Sequence, residues 1–453
     1  MKEKLWIRSL QGYEETVKLP TRFKHLQLKK LSFGARACTL QFEYDSTLKD
    51  DILISEDMMK LLSIPHDRQL HVFVHSDVLD IGPLIGIFTA GFTESLLRPI
   101  GERSLFFAKF LTMEKSIGVN AFVFGAHLIN WSEGTVEGYF YDEKQGWSKR
   151  MVPLPHVIYD RLPNRKTENH AAIQKIKQRL KDEYLIPWYN PGFFNKWEIF
   201  KSLQTEGSMK HYLPETIYQP TFLDIQRMID QHKHIYIKPA NGSLGLGIYQ
   251  VIASSTDHAY YCRYRDGEEN RLQKFTSLKK LIQHLFKGKS LQNYLVQQGI
   301  HLIRYESRPV DFRIHTNKDQ DGKWRVTAIA GKVAGKGSVT THLNNGGMIK
   351  TLEELFPEQK KRESLSTRMH HSVLLLSKAI SASTEGIVGE IGFDIGLDKN
   401  GDIWLFEANS KPGRAIFSHP KLKMADRLSR QLSMAYAIYL TEQGVDQLEA
   451  QYQ

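Results

Sequence analysis

Cysteine is nearly absent from this chain of 453 residues: Cys38 and Cys262 are the only two, and they lie far apart in sequence. That excludes a disulfide scaffold and a cysteine-built zinc site. Long apolar runs are missing as well. The most apolar stretch, Ile81 to Ala90, is broken by glycine and proline and is far too short to span a bilayer. The opening MKEKLWIRSLQGYEE is charged and lacks the apolar centre of a signal peptide. The expectation is a chain made, and kept, inside a cell. No repeat and no low-complexity tract is present, and the densest basic runs, Lys360-Lys361-Arg362 and Lys279-Lys280, are short. The net charge of +11 favours anionic partners in general. Its scattered placement, with neither a recognition helix nor an aromatic-interleaved sheet, argues against nucleic acid as the partner.

What is there is an ordinary globular composition, 41% apolar and 25% charged, in a length that suits two or three domains. Residues 1–79 read as a β-rich module, with LWIRSL, ACTLQFEY and LHVFVHS as short strands. Residues 80–190 read as a small α/β domain and linker. IGPLIGIFTAG is a buried strand entering a glycine turn, ERSLFFAKFLTMEKSIG a helix and VNAFVFGA a further strand, the order that builds a parallel sheet. YDRLPNRKTENH is polar and turn-like, so Arg161 and Arg165 are expected in a solvated loop. Residues 191–453 read as a third unit of mixed helices and strands. Thr221 is placed to cap the helix that follows it, and Lys399-Asn400-Gly401 to turn the final hairpin.

Two stretches bring chemistry. In WLFEANSKPG, Glu407 and Asn409 stand two residues apart on one strand and share a face. Asp394, in the other arm of the hairpin, can lie beside Glu407 across the ladder. Carboxylates so placed repel unless a cation answers them, which favours a magnesium-type site of oxygen ligands. A strand end followed by a Pro-Gly turn is the other reading of that stretch. In HIYIKPANGSLGLGI, Lys238 ends an apolar strand, and Gly242, Ser243, Gly245 and Gly247 form a loop able to approach phosphates closely. A glycine-rich hairpin loop satisfies the same pattern. Arg313 in VDFRIH, Lys332 in IAGKVAG and Asn344 in THLNNGG could complete an anion cradle.

Taken in order, FNKWEIF, IKPANGSLGLG, VDFRIH, LNNGG and GFDIGLDKNGDIWLFEANSKPG resemble an ATP-grasp domain over roughly 250 residues. With GPLIGIFT and PHVIYDRLPNR, the chain resembles the YheC/YheD family of endospore coat-associated proteins of spore-forming bacilli. The resemblance implies an α+β class: an ATP-grasp fold of two α+β subdomains, preceded by a small α/β domain and a β-rich N-terminal module. It implies that Lys196 and Lys238 are the two nucleotide-binding lysines. The loop from Gly242 through Ser243 and Gly245 to Gly247 would close over the β- and γ-phosphates. Gln297, Gln298 and Ile300 would form the hinge against adenine, where many relatives carry an acidic residue. Arg313 would lie near the γ-phosphate, Lys332 and Asn344 at the acyl phosphate, and Arg414 at the acceptor. Asp394, Glu407 and Asn409 would hold Mg²⁺, with Mn²⁺ as a substitute.

The activity so implied is ATP-dependent joining of a carboxylate to an amine through an acyl phosphate, with Lys238, Arg313, Lys332 and Arg414 in the chemistry. A non-catalytic ATP-binding coat protein is the alternative. The implied location is the mother-cell cytoplasm, at the endospore coat or forespore surface, with coat proteins as further partners.

Overall fold

The computed structural model describes residues 2–240, 247–267, 269–287, 290–338, 341 and 346–452, with side chains as far as 444. Four sheets follow one another along the chain. The first has eight strands. Its edges are Arg36–Thr39 and Gln41–Asp45, the two halves of ACTLQFEY, which therefore is not one strand. The alternation of that stretch suits an unbroken strand. The break arises where Leu40 N–H donates to Lys29 and Gln41 N–H donates to Glu15, so the chain changes partner in a single step.

The second sheet has a parallel centre, Asn120–Phe124, Leu84–Phe88, Val157–Asp160 and Trp188–Tyr189 in spatial order. LIGIF and NAFVF are buried along their whole length, as strands covered on both faces must be. The expected helix beside them is split into Ser104–Leu111 and Glu114–Ile117. Met113 N–H bonds three residues back to Phe110, tightening the turn between the two. Phe107, Phe110 and Leu111 bury against the sheet, each worth about 1.5–3 kcal/mol of transfer energy.

The third and fourth sheets are antiparallel throughout. The third runs Thr216–Tyr218, Tyr294–Gln298, His234–Pro239, Tyr249–Ala253, Tyr260–Asp266, Glu269–Phe275, and is backed by helices Phe222–His232 and Leu278–Leu285. The five-strand path of the fourth is Met348–Lys350, Trp324–Val333, Arg308–Lys318, Glu390–Leu397, Ile403–Asn409. Alternation in Arg308–Lys318 sorts its residues. Val310, Phe312 and Ile314 enter the core beneath helices Lys196–Thr205 and Gln359–Ser383, so Asp311, Arg313 and His315 take the opposite face. The last helix, Lys423–Tyr452, ties the second sheet to the fourth. Its Ser433 carbonyl accepts from Tyr189 at 2.7 Å, while its Ser433 hydroxyl accepts from Asn317 at 3.0 Å.

Candidate functional site

The ladder of the fourth sheet lines up charged residues side by side. Lys332 pairs with Asp311, Arg313 with Asp394, and Asp394 with Glu407; Asn409 stands opposite Gly392. A bulge between Asp394 and Ile395 leaves Phe406 unpaired and keeps Glu407 against Asp394. Arg313 grips Asp394 with two parallel bonds, 3.1 Å to Oδ1 and 2.9 Å to Oδ2. Lys332 donates to Asp394 Oδ1 at 2.7 Å and lies 3.1 Å from Asp311 Oδ1, whose other oxygen accepts from Thr341 at 2.5 Å. Gly392 is required here: a Cβ would collide with Pro412 and lie 3.3 Å from Arg313 Nη1.

The charges set one another. Burial alone would raise the Asp394 carboxyl, yet Arg313 and Lys332 hold it well below the usual carboxylate range. Asp311, also buried and facing Asp394, is raised despite Lys332. Lys196, the first residue of its helix, reaches Glu407 Oε2 at 3.2 Å. The repulsion between Asp394 and Glu407 is thus answered by Arg313, Lys332 and Lys196, and by itself demands no metal ion.

Lys238 faces this row from the third sheet. It is half-buried, and its ammonium donates to Gln297 Oε1 at 2.7 Å. Burial, then the nearby Lys196, pushes it down to about 8, with Glu407 and Asp394 pulling the other way. The cleft between the two sheets therefore gathers Lys196, Lys238, Arg313, Lys332, Asp394, Glu407 and Asn409. Gly247, with φ +71°, takes the left-handed backbone that favours glycine. Gly242, Ser243, Gly245 and Asn344 lie outside the described residues.

Two expectations need correcting. Gln297 does not offer its amide to a base, because beside its bond from Lys238 it donates to Thr216 Oγ1 at 2.8 Å; Gln298 Oε1 accepts from Glu215 N–H at 3.1 Å. Ile300, just beyond them, is buried, and its carbonyl accepts from Leu302 N–H. Arg414, expected at the acceptor, is buried against Asp426 at 2.8 Å and lies 3.5 Å from Glu390. Arg161 is not solvated: it is buried and donates to Glu390 Oε2 at 3.1 Å, while Arg165 donates to the Phe193 and Phe194 carbonyls. Sequence reasoning missed Arg161 because its partner is 229 residues away.

Among the described residues, no group of three or more His, Cys, Asp and Glu side chains is placed to hold a metal. Two carboxylates and an amide nevertheless suit Mg²⁺ when phosphate oxygens complete its shell. No helix of the described residues is long and apolar enough to cross a membrane.

The fold is that of an ATP-grasp protein, and the chain belongs to the YheC/D-like ATP-grasp family, whose model matches residues 185–440. It is 44% identical to the endospore coat-associated protein YheD of Bacillus subtilis over 96% of both chains. To YheC of the same organism it is 24% identical, over 61% of this chain and 75% of that one. Solved structures similar to it include a Bacillus anthracis D-alanine–D-alanine ligase complexed with ATP (13% identical, TM-score 0.43, covering 82% of this chain and 99% of that one). The VanG D-Ala:D-Ser ligase of Enterococcus faecalis is another (14%, TM-score 0.45, 79% and 99%).

Proposed function

We propose that the cleft binds ATP with Mg²⁺, and that the chain uses it to join a carboxylate to an amine at the endospore coat. The observation that carries this reading is the convergence of Lys196, from a helix, and Lys238, Arg313 and Lys332, from two sheets, on the Asp394–Glu407 pair. In the proposed reaction, a substrate carboxylate oxygen attacks the γ-phosphorus and ADP leaves. An amine nitrogen then attacks the acyl carbon, phosphate leaves, and the amine loses its proton. Lys238 and Arg313 would neutralise the charge shared by phosphate oxygens, and Lys332 would steady the acyl phosphate. Mg²⁺, held by Asp394, Glu407 and Asn409, would supply further neutralisation of the phosphates.

Calorimetry tests the nucleotide reading. ATP should bind in a Mg²⁺-dependent manner, and Glu407→Gln and Lys238→Ala should each weaken it by about tenfold or more. Undiminished affinity in both folded variants would sink the reading. Release of ADP across a panel of carboxylate and amine pairs, with hydroxylamine to trap the acyl phosphate, tests the ligase step.

A second reading, a non-catalytic ATP-binding coat protein, draws support from the fact that both Asp394 oxygens already hold cationic side chains. No ADP above the Glu407→Gln background would favour it. Coat association itself rests on the similarity to YheD and on the +11 charge, which would adsorb to an acidic surface through many weak, salt-sensitive contacts. A fluorescent fusion should form a ring around the forespore; diffuse signal in the mother cell would reject that location.

A further inference from the structure

Where the second sheet meets the fourth, four guanidinium groups gather around two carboxylates. Arg161 and Arg414 flank Glu390, which is fully buried and also accepts from the Tyr159 hydroxyl at 2.5 Å. Arg414 and Arg430 share Asp426. Among the described residues, Arg103 has only neutral acceptors, Thr89 Oγ1 at 2.9 Å and the Arg161 carbonyl at 2.6 Å. Asp160, next to Arg161 in sequence, is itself held by Lys177 and Lys411, each at 2.6 Å. Among the described residues, two positive charges are thus left without a carboxylate at this junction. Burial, then Arg161, pushes Arg103 down to about 10. Uncompensated charge of this kind is expensive to bury unless a ligand answers it.

His315 gives an independent sign. It is fully buried, and neither ring nitrogen has a hydrogen-bond partner among the described residues. Its ring meets Phe417 edge-on at 5.1 Å, and Phe417 lies 4.6 Å beneath the Arg414 guanidinium. Burial and the surrounding Arg414, Arg313 and Arg161 keep the imidazole neutral, so it retains one donor and one acceptor for a bound molecule.

We infer that this junction is a binding site for a carboxylate-bearing substrate, whose anionic group is seated against Arg103 and Arg161. The site adjoins the proposed ATP cleft along a single strand. Glu390 and Asp394 stand four residues apart on one face, about 13 Å at the rise of a strand. A peptide-like molecule about four residues long, with a carboxylate at one end and the reacting group at the other, spans that distance. The inference rests on the ligase reading for the reaction, but not for the binding.

The test is calorimetric titration of the full chain with glutarate, with butylamine as a cationic control and with and without the ATP analogue AMPPNP and Mg²⁺. Glutarate should bind and butylamine should not. Arg103→Gln should weaken glutarate by about tenfold, the loss of one charge-assisted contact, and Arg103→Lys should recover part of it. A short oligoglutamate peptide distinguishes the source: tighter binding than glutarate assigns the site to an acidic chain, equal or weaker binding to a free acid. Equal glutarate affinity in wild type and Arg103→Gln, or no glutarate binding in wild type, would overturn the inference. The affinity of AMPPNP is read separately in each protein. Glutarate binding without AMPPNP binding would defeat the nucleotide reading and leave this site standing; the reverse would defeat this site alone.

Discussion

Lys238 ends its strand with its ammonium on Gln297 and Lys196 close by. Phosphate needs that ammonium charged, while the unliganded fold pushes it down to about 8. Nucleotide affinity should therefore be full near pH 7 and fall as pH rises through about 8, with proton uptake on binding in that window. Calorimetry in buffers of differing ionisation enthalpy measures the uptake. Lys238→Arg, permanently charged, should remove both the uptake and the slope; a slope that persists would assign the pH dependence elsewhere. Asp394 and Glu407 should differ although they are paired on the ladder. Asp394→Asn strips the carboxylate that buried Arg313 and Lys332 share, so it should lower unfolding stability by about 3–5 kcal/mol. Glu407, 28% exposed beside Lys196, should cost under about 1 kcal/mol as Gln. Denaturant titration of the two variants checks the order. Because the folded Asp394 pKa is depressed, its contribution is present above the unfolded value of about 4 and lost as pH falls below it.

Thr221 and Asp224 form a reciprocal capping box at the head of helix Phe222–His232. Thr221→Ala should cost about 1 kcal/mol and raise hydrogen exchange in that first turn, with little effect at its far end. Such local signals were legible in the sequence, because cap and helix are neighbours in the chain. Strand parity was legible for the same reason: the period of two in VDFRIH, and the hairpin between Asp394 and Glu407, put the charged residues on one face. What lay beyond local reading was decided by distant partners. ACTLQFEY alternates without a break, yet its halves serve opposite edges of one sheet. Arg161 sits in a turn-like polar segment, and only a strand far along the chain makes it a buried ion. Gln297 suited a base edge in sequence, whereas Lys238 and Thr216 claim its amide in space. Helix Ala171–Asp182 escaped notice because its apolar face is thin, with Leu180 its one fully buried residue. The hairpin of Tyr260–Asp266 and Glu269–Phe275 carried a readable signal in Asp266-Gly267, where Gly267 turns at φ +58°.

Across the whole molecule, the expected boundary near residue 190 divides the chain more sharply than its packing does. Tyr159 and Tyr189 stack at 4.6 Å, and Tyr436 of the last helix meets Tyr189 edge-on at 5.6 Å. Met434, Tyr436 and Ile438 share one core with Ile85, Phe107 and Tyr159 of the second sheet. Asn190 donates to the Glu390 and Ser410 carbonyls, and Lys411 reaches back to Asp160 and Glu168. An interface this apolar, with buried ions whose partners lie on both sides of it, behaves as a core rather than as a hinge. The second sheet and the fourth should accordingly unfold together, in one calorimetric transition, while the third sheet, with its own apolar cluster, is free to open separately. Residues 191–453 produced alone would expose the apolar face of Lys423–Tyr452 and leave Glu390 without Arg161 and Tyr159. They should aggregate or bind the dye ANS strongly. A soluble fragment with native-like unfolding cooperativity would show instead that residues 191–453 hold together unaided, and that the guanidinium cluster is dispensable to the fold.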